Sequence, residues 1–275
     1  MNQKRVERLE KTLARVAREQ GLDQERLRRW VSFLALCGLL ERAVSEGILT
    51  AYYLKGGVAL ELRFATAARA TKDIDLGLDG TRADRLEAFG QAVALGFDEF
   101  TFRLKAQTQS MDMADTVRVQ VAIQYRTRAW QTIDVDLGPA GSGIIDLVEP
   151  AIRGLAEMGL AIPSPIRCLS LNDQLAQKLH ACTAPHSQGR ARDILDILLI
   201  ELLGKLDFSK LRSAAEKLFI ERATHAFPPE ATIPPAWRPE VQSLAIELGY
   251  PVSDPLAIEE RFRALVRSIA DAGDR

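Results

Sequence analysis

From Thr116 to Arg126 the chain alternates. Val117, Val119, Val121, Ile123 and Tyr125 fall on one face, and Arg118, Gln120, Gln124 and Arg126 on the other. A period of two is that of a strand with one buried face. A Thr127-Arg128 turn leads into Trp130–Leu137, where Ile133, Val135 and Leu137 take one side and Asp134 and Asp136 the other. This predicts a hairpin whose second strand presents carboxylates. Tyr52–Leu54, Thr71–Leu78 and the weakly alternating Glu99–Lys105 read as further strands.

Elsewhere the period is helical. Val6, Leu9, Leu13, Val16 and Ala17 recur at helix spacing within Lys4–Arg18, and Leu27, Trp30, Val31, Leu34 and Leu40 within Gln24–Glu46. Helices are also predicted over Val58–Phe64, Arg82–Ala94 and Asp146–Gly159. Pro163 and Pro165 mark a linker. Helices then follow over Asp173–Ala181, Arg192–Leu203, Ser209–Arg222, Val241–Leu248 and from Asp254 to about Asp271. The expected architecture is α+β, a mixed β-sheet with flanking helices, N-terminal helices and a helical C-terminal half. Its expected segments are 1–50, 51–162 and 163–275.

Composition adds limits. The net charge of −1 over 275 residues gives no global basic field, so a nucleic-acid partner needs a local patch. Arg26, Arg28 and Arg29 offer either an RNA-facing surface or an ordinary solvated helix face. Cys37, Cys168 and Cys182 are odd in number and widely spaced, with no disulfide or zinc pattern, as expected in a reducing cytoplasm. No apolar run reaches the roughly 18 residues of a membrane helix. The charged, amphipathic start does not read as a signal peptide.

The chemistry gathers between Leu54 and Asp75. Gly56-Gly57 opens an apolar helix, where bare backbone N–H groups let a phosphate approach. Asp73 and Asp75, two apart on a strand, face the same way. Their repulsion calls for a cation between them, such as Mg²⁺ or Mn²⁺. A phosphate cradle followed by a two-carboxylate metal site is a layout for nucleotidyl transfer, and Asp134 or Asp136 could supply a third carboxylate. Farther on, Lys178 precedes a polar loop and then Arg190, Arg192, Asp193 and Asp196. Asp193 and Asp196 share a helix face. They can form a buried clasp with Lys178, or hold it over an active site in a cleft between sheet and helical half; the two roles are compatible. His180 and His186 lack a third ligand at metal spacing and read as structural or solvated. Trp30, Trp130 and Trp237 read as packing, as does at least one of Tyr52 and Tyr53.

These motifs together resemble the AbiEii/AbiGii-type nucleotidyltransferase toxins of the polymerase-β-like nucleotidyltransferase superfamily. The resemblance runs from about Leu54 to Leu199. Lys55-Gly56-Gly57 matches the opening turn, Arg69, Thr71, Asp73 and Asp75 the Asp-x-Asp motif, and Ile133-Asp134-Val135 the later strand. Ala176-Gln177-Lys178-Leu179 and Arg190-Ala191-Arg192-Asp193-Ile194-Leu195-Asp196 match the last two motifs, with Arg192 where the family usually has lysine. The resemblance implies a nucleotidyltransferase-like fold, with Asp134 as third carboxylate in preference to Asp136. It implies metal ligation by Asp73, Asp75 and Asp134, and catalysis by these with Lys178 and Asp196. Lys55, Gly56, Gly57, Arg69, Thr71, Lys178, Arg190 and Asp193 would bind nucleotide. It also implies Mg²⁺ (or Mn²⁺), an NTP substrate, an RNA acceptor, often tRNA, and a toxin–antitoxin or phage-defence setting with a possible antitoxin protein. Two other readings stay open: the same fold acting on a protein hydroxyl or a small molecule, and a catalytically degenerate nucleotide-binding module.

Overall fold

The computed structural model describes residues 2–107, 115–152, 156–161 and 163–273. Its elements run α1 (Asn2–Glu19), α2 (Gln24–Ser45), β1 (Tyr52–Lys55), α3 (Gly56–Phe64), β2 (Asp73–Leu78), α4 (Arg82–Val93), β3 (Phe100–Gln107), β4 (Val117–Tyr125), β5 (Arg128–Pro139), β6 (Ile145–Val148), β7 (Ile166–Leu169), α5 (Leu171–Thr183), α6 (Ala191–Leu203), α7 (Phe208–Arg222), α8 (Arg238–Glu247) and α9 (Pro255–Ala270). The seven strands form one mixed sheet in the order β3-β4-β5-β2-β1-β7-β6. The alternating hairpin pairs antiparallel, as its pattern predicts, and β5 then runs parallel to β2.

The chain divides into two compact units. One comprises residues 1–66 and 70–168; the other comprises Ala67–Arg69 and Leu169–Arg275. In the first, the apolar faces of β4 and β5 are buried with Val6, Leu9, Leu13, Val16 and Ala17 of α1. Helix α2 is buried almost all round, as its near-continuous apolar composition requires. Asp23 caps it by accepting from the N–H groups of Glu25 and Arg26. Arg26 and Arg28 are not a free basic surface. Arg26 donates to Glu61 at 2.8 Å, and Arg28 donates to Glu10 at 2.6 Å while lying over the Trp130 ring. Trp30, Trp130, Tyr52 and Tyr53 are buried.

The second unit is helical. Ser170 caps α5, α5 packs on α6 and α7, and α9 begins at the Asp254 cap with Pro255 in its first turn. Two elements differ from expectation. The helix expected over Asp146–Gly159 does not start: Ile145–Val148 is strand β6, and residues 153–155 lie outside those described. Pro150 removes a backbone donor and drives Glu149 out of the helical region, so a helix cannot propagate from Asp146. Strand β7, hidden in the expected linker, pairs parallel with β1 at Leu54 and Cys168. Four residues between a proline and a cap are too few to display a period. Among the described residues no helix is long and apolar enough to cross a membrane.

Candidate active site

The parallel register of β2 and β5 sets Asp73 beside Asp134 and Asp75 beside Asp136. Side chains in register on neighbouring strands share a face, so four carboxylates line one surface while Ile74, Leu76, Ile133, Val135 and Leu137 fill the core behind it. Their partners differ. Arg118 on β4 makes a two-pronged contact to Asp136, Nε–Oδ1 at 2.7 Å and Nη2–Oδ2 at 2.6 Å, and reaches Asp73 Oδ2 at 3.6 Å. The hydrogen bond to Asp136 raises the Arg118 pKa above its ordinary value. Gln120 donates to Asp134 Oδ1 at 3.0 Å. Thr71 Oγ1 donates to Asp73 Oδ1 at 2.8 Å. Asp136 is thus committed to a bidentate guanidinium, whereas Asp134 and Asp73 accept from neutral groups that an incoming cation can outbid.

The glycine pair makes room for this face. Gly56 sits at φ +65°, and a Cβ there would lie 2.0 Å from Asp75 Oδ2. A Cβ on Gly57 would meet Thr71 at 2.9 Å. Only glycine meets both the left-handed backbone and the close approach at Gly56. Lys55, the register partner of Asp75, gives α3 no side-chain cap. Its Nζ lies 2.7 Å from where a Cβ on Gly138 would be, so Gly138 lets the lysine reach along the strand ends.

Sequence reasoning missed three residues here. Glu61 is 1% exposed. It accepts from the Thr71 N–H at 3.2 Å and from Arg26 at 2.8 Å, and so fixes the turn that aims Thr71 at Asp73. Burial raises its pKa against the pull of Arg26. Arg118 and Gln120 were visible only as polar positions of a strand; pairing the hairpin in register would have set them opposite Asp136 and Asp134.

The second unit holds the other candidates. Lys178 Nζ donates to Asp193 Oδ1 at 2.8 Å and to Asp196 Oδ2 at 2.7 Å. Arg69 Nε donates to both Asp196 oxygens, at 3.1 and 3.2 Å, and Arg190 to Asp193 at 3.3 Å. Three cations therefore surround two carboxylates. Burial alone would lower the Lys178 pKa, but attraction to Asp196 and Asp193 raises it above the ordinary lysine value. Lys178 is a firm cation. Arg192 instead points outward, with Glu240 at 3.4 Å.

His180 has a structural role. Arg222 can only donate, so His180 Nδ1 is the acceptor of their 3.3 Å contact. Its Nε2–H then donates to Thr224, which donates to His225 Nδ1; His225 Nε2–H donates to Thr183, each at 2.9 Å. Thr183 ends the chain on the Leu179 carbonyl at 2.7 Å. Burial pushes His180 down to about 4. His186 is exposed. The Cys182 thiol is buried and its pKa raised by that burial, so no reactive thiol arises there.

A divalent cation fits the first cluster by donor chemistry: hard carboxylate oxygens in register on adjacent strands suit Mg²⁺ or Mn²⁺. Among the described residues no three ligating side chains already converge. The carboxylates are turned instead to Thr71, Gln120 and Arg118.

Comparison with known proteins adds identity to this geometry. No curated protein sequence matches the chain. Its structure is similar to that of MenT4, a nucleotidyltransferase toxin from Mycobacterium tuberculosis H37Rv, with a TM-score of 0.55 and 17% identity over 94% of this chain and 98% of that one. Weaker likenesses are to the antibiotic-resistance factor ANT(2'')-Ia, at TM-score 0.40, 19% identity, 70% of this chain and 94% of that one. In complex with adenylyl-2''-tobramycin the same protein gives 0.42, 19%, 70% and 99%. The family model described as nucleotidyl transferase AbiEii toxin, type IV toxin–antitoxin system, matches residues 38–268, which span both clusters. The chain belongs to this family of nucleotide-transferring enzymes.

Proposed function

We propose that the protein moves a nucleotidyl group from an NTP onto an RNA acceptor, tRNA being the expected class, as the toxin of a toxin–antitoxin pair in a reducing cytoplasm. The observation that carries this reading is the register of Asp73 with Asp134 and of Asp75 beside Gly56. It gives hard oxygen donors next to a helix start with no side-chain cap. In the reaction an acceptor hydroxyl gives up its proton to solvent as its oxygen bonds to the α-phosphorus, the bond from that phosphorus to the oxygen bridging to the β-phosphate breaks, and pyrophosphate leaves.

Asp73, Asp75 and Asp134 would hold Mg²⁺ or Mn²⁺, which supplies charge neutralisation for the phosphates. The protein's own groups do the rest. Thr71 and Glu61 keep Asp73 aimed, and Gln120 orients Asp134. Arg118 withdraws Asp136 from the ligand set. Gly56 and Gly57 with Lys55 bind phosphate at the start of α3. Lys178 supplies a fixed positive charge for the negative charge that builds on the phosphates, with Asp193 and Asp196 orienting it and Arg69 and Arg190 as nucleotide contacts.

Incubation with each α-labelled NTP, Mg²⁺ or Mn²⁺ and total bacterial RNA, on a gel that separates RNA from protein, tests the reading. Label on RNA, abolished by Asp73→Asn, is the expected result. Label on protein alone, or none in any condition, overturns the RNA acceptor.

A further inference from the structure

Helix α1 carries six cations and three carboxylates, and they are sorted by side. With successive residues turned by about 100°, Lys4, Arg8, Lys11, Arg15 and Arg18 fall within an arc of about 80° and extend over about 21 Å of helix. All five are exposed. The buried Val6, Leu9, Leu13, Val16 and Ala17 occupy the opposite side. The carboxylates lie outside that arc: Glu10 holds Arg28, Glu19 at one margin holds Arg15, which also meets Glu157, and Glu7 borders the other margin. Lys4, Arg8, Lys11 and Arg18 have no ion-pair partner among the described residues. Lys4, Arg8, Lys11 and Arg15 line a surface depression of about 460 Å³, with Glu7 its one acid.

An ordinary solvated helix intersperses both signs at i,i+4 spacing. Here five cations follow one another at steps of about 4.5–6 Å along one face, with Glu7 and Glu19 only at its margins and four of the five without an ion-pair partner among the described residues, in a protein of net charge −1. Such a ladder fits a linear polyanion. A membrane surface fits poorly, because a helix lying in an interface needs a free apolar face, and α1 spends its apolar face on the core. A protein partner fits poorly too, since the stripe has no exposed aromatic or large apolar residue to anchor an interface. The stripe also precedes residue 38, where the family match begins.

We infer that the α1 stripe is a docking rail for the phosphate backbone of the acceptor RNA, gripping it without reading sequence. The inference rests on the RNA-acceptor reading above. The test uses the full chain and fluorescent bulk bacterial tRNA, with affinity followed from about 50 to 200 mM salt, where phosphate contacts dominate the salt slope. The variant combines Lys4→Gln, Arg8→Gln, Lys11→Gln and Arg18→Gln; Arg15 is left for its pair with Glu157. Expected is a dissociation constant raised on the order of tenfold or more and a salt slope smaller by about 3. A milder pair, Arg8→Gln with Arg18→Gln, is expected to lose about half that slope, and Arg8→Lys with Arg18→Lys to keep all of it. Both serve if the fourfold variant melts early. Unchanged affinity and slope in folded variants overturn the rail. So does binding of polyglutamate or of phosphatidylserine vesicles as tight as RNA and equally sensitive to the substitutions. The two readings separate cleanly. Wild-type protein that binds RNA through the stripe yet labels none defeats the transfer reading alone. Wild-type and variant proteins that label and bind RNA equally defeat the rail alone.

Discussion

The carboxylate face of β2 and β5 and the Lys178 cluster of α5 and α6 both gather opposite charges, but they spend them differently. The Asp73 side chain is 42% exposed and meets its arginine only at 3.6 Å, whereas the Asp196 side chain is 1% exposed and is held by two cations at 2.7 to 3.2 Å. An exposed carboxylate with weak partners contributes little to stability and stays available to a cation from solution. A buried, fully bonded one cannot lose a partner without leaving a charge stranded. The first cluster keeps carboxylates that a cation from solution can reach; the second is complete already and holds its lysine in place.

The largest effect should come from the exposed face. Asp73→Asn or Asp75→Asn is expected to lower transfer by on the order of 10³ or more, with the melting temperature unchanged or slightly higher because carboxylate repulsion is relieved. Rates and melting curves on the same samples check it; near wild-type rates would remove these residues from the metal set. Lys178→Ala should lose on the order of 10²–10³ in rate and, unlike the aspartate variants, should also melt earlier. It leaves two buried carboxylates short of a partner, at about 3 kcal/mol. Lys178→Arg should rescue little, since a planar fork cannot replace a compact ammonium. Asp196→Ala added to Lys178→Ala should cost far less than the product of the two. A folded Lys178→Ala protein with full activity would erase the contrast between the clusters.

A finer test lies within the exposed face. Asp134→Asn should cost on the order of 10² or more, and Asp136→Asn about tenfold or less, since Arg118 already holds Asp136. The reverse order would exchange their roles. The smallest effect concerns pH. His180 sits near 4 in the fold against an ordinary value of 6.5, so the neutral ring stabilises the native state. That contribution is whole above about pH 6.5 and is lost as pH falls toward 4, when a proton on Nδ1 would face Arg222. The melting temperature should therefore fall between pH 6.5 and 4.5, and less steeply in His180→Gln. Equal slopes would show that His180 is not the source.

Much of this was readable from residue order. The alternation of Thr116–Leu137 announced the hairpin because one face is buried and the other is not. The helical half announced itself through its caps and periods. Asp73, Asp75 and Lys178 stood out by type and spacing. What stayed hidden was whatever depends on residues far apart in the chain. Glu61 looks like a surface glutamate until Arg26 and the Thr71 amide are found around it. Strands β6 and β7 are too short to carry a pattern and exist because neighbours pair with them. The different surroundings of Asp134 and Asp136 depend on which polar residue of β4 stands opposite each.

Three residues give the molecule a property of a different kind. Ala67–Arg69 belong to the second unit although the chain on either side belongs to the first, and Arg69 is a partner of buried Asp196. The helical unit is therefore not a contiguous cassette. A fragment beginning at residue 169 leaves Arg69 behind, so that Asp196 keeps Lys178 but loses its second cation. A transplant that keeps the helical unit whole must bring Ala67–Arg69 along with Leu169–Arg275.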